Sequence, residues 1–287
     1  MENNYIKIIE ERWDFLIVLD ACRYDYFKDV YEKYFSGELK KGISLGSTTS
    51  EWLEKSFPGN YKNIIYISGN PIINSSLKIE GFDAKSHFYK VVDVWNFGWN
   101  EELGTVLPDK INKAALDYIS KFHKKKFIVH YLQPHEPYIS EKYTHEILLD
   151  LFRSQNGLQW DQGIWARQRS PFEKLLHLLF VRTKIMKNTW KIREILKLPP
   201  LQPMEAVKRI YGTDGLREAY KENLDIVLHH VSELCKKILL DEPSKRIVIT
   251  SDHGEFLGEN GNFCHRRGSK EHILLRVPFL IVENVIY

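Results

Sequence analysis

The segment Ser251-Asp252-His253-Gly254-Glu255 contains hydroxyl, carboxylate and imidazole side chains, the groups that catalytic and metal-binding sites use most often. It follows residues 246–250, a short run rich in β-branched side chains that predicts a buried strand. An Asp beside a His at a strand's exit is costly to keep for packing alone. An Asp oxygen and a His nitrogen can share a divalent cation, so this spacing predicts metal ligands at the strand's end.

Two further apolar runs end in the same way. Residues 15–19 lead into Asp20, and residues 127–132 lead into Gln133-Pro134-His135-Glu136-Pro137. Ligands of open α/β sheets bind outside the carboxyl ends of the strands. A single Asp or His there is more often a turn or cap residue, but three such exits favour one shared site. We expect Asp20, Asp252 and His253 to hold a divalent metal ion.

Other side chains are candidates for the same site. His135 can ligate metal or act as a general acid on a leaving group. A glycine-rich loop at 258–262 is long enough to return His265 to the site, and His272 is a weaker candidate.

Hydroxyl groups are concentrated in Gly46-Ser47-Thr48-Thr49-Ser50, just before a short amphipathic helix. A hydroxyl at a helix N-terminus lies where backbone N–H groups and the helix dipole favour an anion. The alternative is an N-cap without catalytic function. The residue types alone do not choose among the four hydroxyls as a nucleophile.

Composition limits the function classes. The 287 residues are 43% hydrophobic and 28% charged, as in ordinary soluble domains, and a net charge of +3 does not indicate nucleic-acid binding. The N-terminus shows no signal peptide, and no apolar run is long enough to span a bilayer. Three cysteines, none in a CxxC pair, favour a reducing compartment. We therefore expect a cytoplasmic protein.

Strand and helix patterns alternate along the chain. Strands are predicted at 15–19, 63–68, 127–132, 246–250 and 278–282, and helices at 22–35, 108–122 and 215–240. This order predicts an α/β fold over residues 1–287, with a largely parallel central sheet between layers of helices.

Residues 139–214 depart from the alternation and predict a helical insertion or cap. Residues 164–200 contain nine Lys or Arg against two acidic residues, interleaved with apolar side chains. The insertion either packs as a cap with solvated charges or meets an anionic substrate or a membrane surface.

With these residues in view, the chain resembles the alkaline phosphatase superfamily, on its sulfatase-like branch. The matching motifs occur in the family's order over residues 13–283, apart from the basic insertion: Leu19-Asp20-Ala21-Cys22-Arg23-Tyr24-Asp25, Thr48-Thr49, Gln133-Pro134-His135-Glu136-Pro137-Tyr138, Ser251-Asp252-His253-Gly254-Glu255-Phe256-Leu257-Gly258-Glu259 and Arg276-Val277-Pro278. The Ser-Asp-His-Gly-Glu block with its downstream Arg-Val-Pro is the specific part.

The resemblance implies roles for individual side chains. Asp20, Asp252 and His253 hold the metal, and Thr49 is the metal-bound nucleophile, with Thr48 as the second choice. His135 contacts the leaving-group side. His265 falls where sulfatases carry a Lys or His for the substrate's oxygens, and it is also counted among the metal ligands. Arg23 is a further oxyanion contact.

Two departures from the sulfatase pattern matter. The nucleophile region is rich in Thr and lacks the modifiable Cys of sulfatases, because Cys22 lies elsewhere. Only Asp20 stands where sulfatases have paired Asp residues. Both departures favour phosphoryl chemistry with one metal ion, Zn, Mn, Mg or Ca, rather than two. A second metal would need a ligand such as Asp225.

The sequence therefore predicts a metal-dependent hydrolase or phosphotransferase with a phospho-threonine intermediate. Its substrate is a small-molecule, glycan-linked or lipid-linked phosphoester. The alternatives are a sulfatase and a non-catalytic glycan- or lipid-binding protein, in which Val94-Trp95-Asn96-Phe97-Gly98-Trp99 stacks on sugar rings. Residues 164–200 provide a membrane contact if the basic segment lies at a surface.

Overall fold

A seven-stranded sheet is the centre of the molecule. The computed structural model describes residues 5–144, 159–161, 164–166, 190, 194–197, 200 and 202–286. The strand order is β2-β13-β10-β1-β7-β3-β4. The strands are β1 (Phe15–Asp20), β2 (Phe35–Ile43), β3 (Tyr61–Ser68), β4 (Phe88–Asp93), β7 (Lys126–Pro134), β10 (Ile247–Ser251) and β13 (Arg276–Val285).

Five of these strands, β10, β1, β7, β3 and β4, run parallel. Their registers align the carboxyl ends, because Leu19 pairs with Ser251 and Ser68 pairs with His130. The strands β1 and β10 are buried along their whole length, as expected for parallel strands covered on both faces. The predicted largely parallel sheet is therefore confirmed.

Helices cover both faces of the sheet. On one face α1 (Tyr24–Val30), α5 (Pro108–Lys121) and α7 (Pro203–Asp241) contribute to the larger core cluster, while α2 (Thr49–Ser56) packs Trp52 and Leu53 into the core of the other face. Four single-turn helices complete the set: α3 (Ala84–His87), α4 (Val94–Phe97), α6 (Glu141–Thr144) and α8 (His272–Leu275). None of the helices in the described ranges covers the carboxyl edge of the sheet, where a cavity opens.

Both edge strands escaped the sequence prediction. The helix expected at 22–35 ends at Val30, and β2 begins at Phe35. The strand β2 pairs antiparallel with β13, and polar, lysine-containing positions along it weaken its hydrophobic pattern. At the other edge, β4 is short and half polar. Edge strands that are charged on their exposed positions resist further pairing.

The region expected as a helical insertion is only partly described. It contains a short hairpin of β8 (Gln159–Asp161) and β9 (Ile164–Ala166), which the sequence did not predict. The helix α7 begins within it at Pro203 and kinks at Gly212. The basic run at 164–200, with its expected membrane or substrate surface, lies almost wholly outside the described residues.

Short paired strands complete the fold beside the carboxyl edge. They are β5 (Trp99–Asn100) with β6 (Thr105–Val106), and β11 (Phe256–Leu257) with β12 (Phe263–Cys264). The second pair returns the chain after Glu255 toward the sheet, so His265 comes back to the strand ends.

Candidate active site

The exits of β1 and β10 bring three predicted metal ligands together. Asp20, Asp252 and His253 each offer one atom, and these atoms lie within 4.8 Å of one another. All three side chains are buried. Since β1 and β10 are adjacent and parallel, the convergence follows directly from the strand order.

In each carboxylate, one oxygen accepts hydrogen bonds that fix the orientation of the group, and the other oxygen is left for a ligand. Asp252 Oδ1 accepts the backbone N–H groups of Ala21 at 3.1 Å and His253 at 2.9 Å. Asp20 Oδ2 accepts Asn70 Nδ2 at 2.5 Å. The remaining oxygens, Asp20 Oδ1 and Asp252 Oδ2, are buried and have no hydrogen-bond partner among the described residues. Buried carboxylate oxygens are rarely left unsatisfied, so this pair fits a cation.

His253 completes the set in a defined tautomer. Its Nδ1 lies 2.8 Å from the Gly254 carbonyl oxygen and donates to it. The lone pair of Nε2 therefore faces Asp20 Oδ1 at 3.6 Å and Asp252 Oδ2 at 3.5 Å. Thr49 Oγ1 lies 3.4 Å from the same nitrogen. Two oxygens, one nitrogen and one hydroxyl are a donor set that divalent metals accept.

The charges of the cluster also suit a cation. Burial and the neighbouring Asp252 raise the pKa of Asp20 well above its ordinary value. Burial acts on Asp252 in the same sense, but His253, His130 and hydrogen bonds outweigh it and lower the pKa of Asp252. Burial lowers the pKa of His253 to about 4, so its imidazole is neutral at pH 7. Two adjacent buried carboxylates avoid both being charged unless a cation joins them.

The two threonines of the predicted nucleophile region have different environments. Thr48 is the N-cap of α2, and its Oγ1 accepts the Glu51 N–H at 3.3 Å. Thr49 is the first residue of α2, is buried, and lines the cavity with Asp20. The helix N-terminus places partial positive charge at this hydroxyl. The structure thus favours Thr49 over Thr48, whose oxygen serves as a cap.

A second cluster adjoins the first. His135, Glu255 and His265 also form a group whose ligand atoms lie within 4.8 Å of one another. His265 Nδ1 lies 2.9 Å from Glu255 Oε1, and His135 Nε2 lies 3.7 Å from Glu255 Oε2. The rings of His253 and His265 are 4.3 Å apart between centroids. His265 therefore groups with His135 and Glu255, and the expectation that it joins the Asp20 ligands is corrected.

Glu255 sets the charges of this second cluster. Burial alone lowers the pKa of His265, but the Glu255 carboxylate outweighs it and raises that pKa above its ordinary value. Burial would raise the pKa of Glu255, but His265 and His135 lower it. A His265 with a raised pKa beside Asp20, Asp252 and His253 suits the oxygens of a phosphoryl group.

Arg23 does not reach the cavity, which corrects its expected oxyanion role. Its guanidinium binds Asp25 at 2.6 Å and Glu259 at 2.5 Å and donates to the Glu255 carbonyl oxygen at 3.3 Å. The side chain is thereby saturated by protein groups. Arg23 instead joins the exit of β1 to the loop after β10, which fixes the position of Asp20 relative to Asp252.

Two weaker candidates lie outside the site. Asp225 on α7 pairs with Lys33 at 3.1 Å, as expected of a solvated helix residue. His272 is exposed at the first position of α8.

Sequence reasoning missed two polar side chains of the site. His130 is buried within β7, its Nδ1 is 2.8 Å from the Tyr66 hydroxyl, and its Nε2 lies 3.9 Å from both Asp20 Oδ2 and Asp252 Oδ2. Asn70, at the exit of β3, also approaches Thr49 Oγ1 at 3.5 Å. The signal for His130 was a titratable residue inside an apolar strand. The signal for Asn70 was its place at a strand end.

A cavity of about 330 Å³ opens over both clusters. Thr49, Asp20, His135, Glu255 and His265 form its polar floor. Its other walls mix acidic, apolar and aromatic side chains: Glu80, Glu136, Ile72, Trp99, Leu132, Gln202 and Cys264, with Asn70 and Pro71. Burial raises the pKa of Glu136 to about 8.

No protein-family model and no curated protein matches the chain by sequence. Solved structures do match. The C-terminal periplasmic domain of EcEptC from Escherichia coli, in complex with Zn, has a TM-score of 0.54 at 13% identity, covering 95% of this chain and 73% of that chain. The integral membrane lipooligosaccharide phosphoethanolamine transferase A of Neisseria meningitidis has a TM-score of 0.51 at 12% identity, covering 95% of this chain.

At 12% and 13% sequence identity, the similarity to these two structures concerns the fold alone. This chain spans 47% of the length of the Neisseria protein. The chain shares the fold of these two solved structures, so the α/β fold implied by the resemblance is confirmed.

The expected cytoplasmic location is wrong. The solved chains that share this fold are a periplasmic domain and an integral membrane protein, which point to the periplasmic side. Scarce cysteines and the apparent lack of a leader were weak guides to the compartment. Among the described helices, none combines the length and the apolar character needed to cross a bilayer.

Proposed function

We propose that this protein is a metal-dependent phosphoester hydrolase or phosphotransferase that uses Thr49 as its nucleophile. One observation carries the proposal. Thr49 Oγ1 lies 3.4 Å from His253 Nε2, beside two carboxylate oxygens that lack any partner among the described residues. A hydroxyl in contact with a metal-type donor set, under an open cavity, is suited to nucleophilic catalysis.

Asp20, Asp252 and His253 would hold the metal, with Thr49 beside them. A bound divalent cation would lower the pKa of the Thr49 hydroxyl and neutralise negative charge on the phosphoryl oxygens. Zinc is one candidate, because the E. coli domain of the same fold was solved with Zn. Asp/His ligation also accepts Mn, Mg and Ca.

The chain's own residues supply the remaining steps. Asn70 Nδ2, which also binds Asp20, holds the Thr49 oxygen in place. The Thr49 hydroxyl gives up its proton to water in the open cavity, its oxygen attacks phosphorus, the bond from phosphorus to the leaving oxygen breaks, and Thr49 becomes phosphorylated. His265, whose pKa Glu255 raises, binds the phosphoryl oxygens. His135, whose pKa burial lowers, contacts the leaving-group side, and the leaving oxygen takes its proton from water in the open cavity. Water or an acceptor hydroxyl then takes the phosphoryl group and frees Thr49.

The direct test compares two threonine variants on an aryl phosphate monoester and an aryl phosphodiester, with and without EDTA. Thr49→Val should reduce kcat at least about 10³-fold, because it removes the nucleophile and keeps the side chain's bulk. Thr48→Val should keep most of the activity and lose only a helix cap. Equal activity of Thr49→Val and the parent chain would overturn the proposal. Faster turnover of an aryl sulfate would favour a sulfatase instead.

The cavity walls favour a substrate that carries an amino group. Glu80 lines the cavity, Trp99 offers an aromatic face, and no Lys or Arg is among its described lining residues. An ammonium group gains from a nearby carboxylate and from an aromatic face. The Neisseria transferase, which shares the fold, is named for phosphoethanolamine transfer to lipooligosaccharide. We propose an aminoalkyl phosphoester, small or lipid-linked, as the substrate class.

A matched substrate pair tests this preference. Aryl aminoethyl phosphate and aryl propyl phosphate have similar size and differ in the ammonium charge. We expect kcat/KM to favour the amino compound by about tenfold, or roughly 1.4 kcal/mol, and Glu80→Gln should reduce this ratio. Glu101→Gln, at an exposed position outside the cavity, is the control. A ratio near one in the parent chain would contradict the proposed substrate class.

A further inference from the structure

We infer that a groove beside the catalytic cavity binds a sugar that carries an anionic group, as the glycan part of the substrate or acceptor. This inference rests on the proposed function and names the acceptor's chemistry. The groove, here called the aromatic groove, encloses about 440 Å³ between α4, β5 and α5. Its walls carry three aromatic side chains and three charged ones: Phe97, Trp99, Tyr118, Lys110, Lys113 and Asp117.

The groove depends on a glycine between α4 and β5. A Cβ atom at Gly98 would lie 2.9 Å from the Val94 carbonyl oxygen and 3.3 Å from Lys110 Cβ. These distances are shorter than ordinary van der Waals contacts. Gly98 therefore lets α5 approach α4 closely, so Phe97 and Trp99 stand opposite the lysines of α5.

The side chains of the groove suit a sugar ring. Phe97 is 69% exposed, unusual for a residue of its size, while Trp99 and Tyr118 are half-buried. Aromatic faces pack against the C–H face of a sugar, and carboxylates such as Asp117 accept from its hydroxyl groups. The groove thus offers both contacts that a pyranose needs.

The lysines add a preference for negative charge. Lys110 is paired with Asp109 at 3.4 Å, and Asp117 is paired with Lys121 at 2.6 Å. Lys113 has no hydrogen bond or ion pair to any described residue, so its charge is available. A phosphate or carboxylate on the sugar would satisfy it.

Trp99 connects the groove to the catalytic cavity, because it lines both. The neighbouring β6 is anchored beside it, since Gln133 Nε2 donates to Thr105 Oγ1 at 3.2 Å and to the Val106 carbonyl oxygen at 3.1 Å. Gln133 lies two residues before His135. The catalytic cavity and the aromatic groove therefore share Trp99 as a common wall.

The shape of the groove favours a sugar over a lipid surface. Membrane contact needs apolar side chains that protrude from a convex surface. Here Trp99, Tyr118 and Phe97 line a recess of about 440 Å³. A concave aromatic site with a few polar groups is typical of small-ligand recognition.

The test measures binding directly in the full chain carrying Thr49→Val, in EDTA, so that catalysis is not required. The probes are glucose 6-phosphate, methyl glucoside and inorganic phosphate, titrated by NMR. We expect Phe97→Ala to weaken both sugars by about tenfold. Lys113→Gln should weaken only glucose 6-phosphate. The matched controls Leu240→Ala and Lys236→Gln, at exposed positions of α7, should bind like the parent.

Two outcomes would overturn the inference. The first is that neither sugar binds, or that Phe97→Ala leaves sugar binding unchanged. The second is that phosphatidylglycerol vesicles bind in a Phe97-dependent manner while the sugars do not, which would make the surface a membrane contact. Because the measurement uses an inactive variant without metal, failure of the proposed catalysis leaves the sugar result intact.

Discussion

His130 is the residue whose contribution to metal binding can be separated most cleanly from its contribution to core packing. Its Nε2 is buried, has no hydrogen-bond partner in the described part of the chain, and lies 3.9 Å from an oxygen of Asp20 and of Asp252. The Tyr66 hydroxyl holds the other ring nitrogen at 2.8 Å. We interpret His130 as a positioning residue that supports the two carboxylates of the metal cluster.

His130→Gln should therefore weaken divalent-metal affinity by about 10- to 100-fold and keep the fold, since Gln retains polarity and some bulk. Metal competition titrations measure this affinity, and Tyr66→Phe should give a smaller loss in the same direction. His123→Ala, at an exposed position on the far side of β7, is the control. If His130→Gln left the metal affinity unchanged, His130 would contribute only to packing of the core.

Glu136 gives the stability of the protein a pH dependence. Burial raises its pKa to about 8, above the ordinary value of 4.5. The folded state therefore binds this proton more tightly than the unfolded state. The stabilisation is complete below about pH 4.5 and is lost as the pH rises toward about 8.

Glu136→Gln should remove this loss, because the amide does not titrate and its oxygen can still accept the Met204 N–H. In EDTA, urea unfolding should show the free energy of unfolding of the variant rising relative to that of the parent between about pH 5 and about pH 8.5. Glu141→Gln, at an exposed position nearby, should follow the parent curve. A parallel pH dependence of parent and Glu136→Gln would contradict the account.

The sequence could predict Asp20, Asp252 and His253 because each directly follows an apolar run. It could not rank Thr48 against Thr49, since a cap and a nucleophile have the same residue type and differ only in where the oxygen points. It also assigned Arg23 to the substrate, because the partner Glu259 is distant in sequence. The catalytic roles of all these residues remain predictions.

At the scale of elements, α7 positions the loop that carries His135. Asn223, buried on α7, donates from Nδ2 to the carbonyl oxygens of Pro134 and His135, each at 3.1 Å, and of Pro137 at 3.3 Å. Its Oδ1 accepts the Ile139 N–H at 3.0 Å. One amide thus contacts four backbone groups of the loop after β7, and its two N–H groups are shared among the three carbonyl oxygens.

Asn223→Ala should cost ~2 kcal/mol or more of unfolding free energy, because it leaves buried carbonyl groups without a donor. It should also lower kcat by displacing His135, with little effect on metal affinity. Urea unfolding and kinetics on an aryl phosphodiester measure these effects. Lys221→Ala, exposed on the same helix, is the control. A larger change in metal affinity than in kcat would contradict the assignment of Asn223 to the His135 loop.

The helix periodicity of α5 and α7 and the apolar runs of β1, β3, β7 and β10 could all be predicted from sequence. The strands β2 and β4 could not be predicted in this way. An edge strand is held by backbone pairing with one neighbour, and its sequence does not need a continuous hydrophobic pattern. The hairpin of β8 and β9 likewise carries no strong strand signal. The sheet core was predictable because burial on both faces imposes continuous apolar residues.

At the scale of the molecule, the strand order explains why distant segments form one site. β1, β7 and β3 lie side by side, and β10 flanks β1. Asp20, His130, Asn70 and Asp252 therefore meet at one edge although up to 232 positions separate them in sequence. The treatment of residues 1–287 as a single domain with a cap remains a prediction.

The central claim is that Thr49 accepts a phosphoryl group. Its most direct measurement is mass spectrometry of peptides after rapid acid quench of the metal-loaded enzyme with an aryl aminoethyl phosphate. We expect a substituted phosphoryl group on Thr49, absent in EDTA and absent from Thr49→Val. An active enzyme that carries its adduct on another residue, or forms none during a burst of product, would contradict the account.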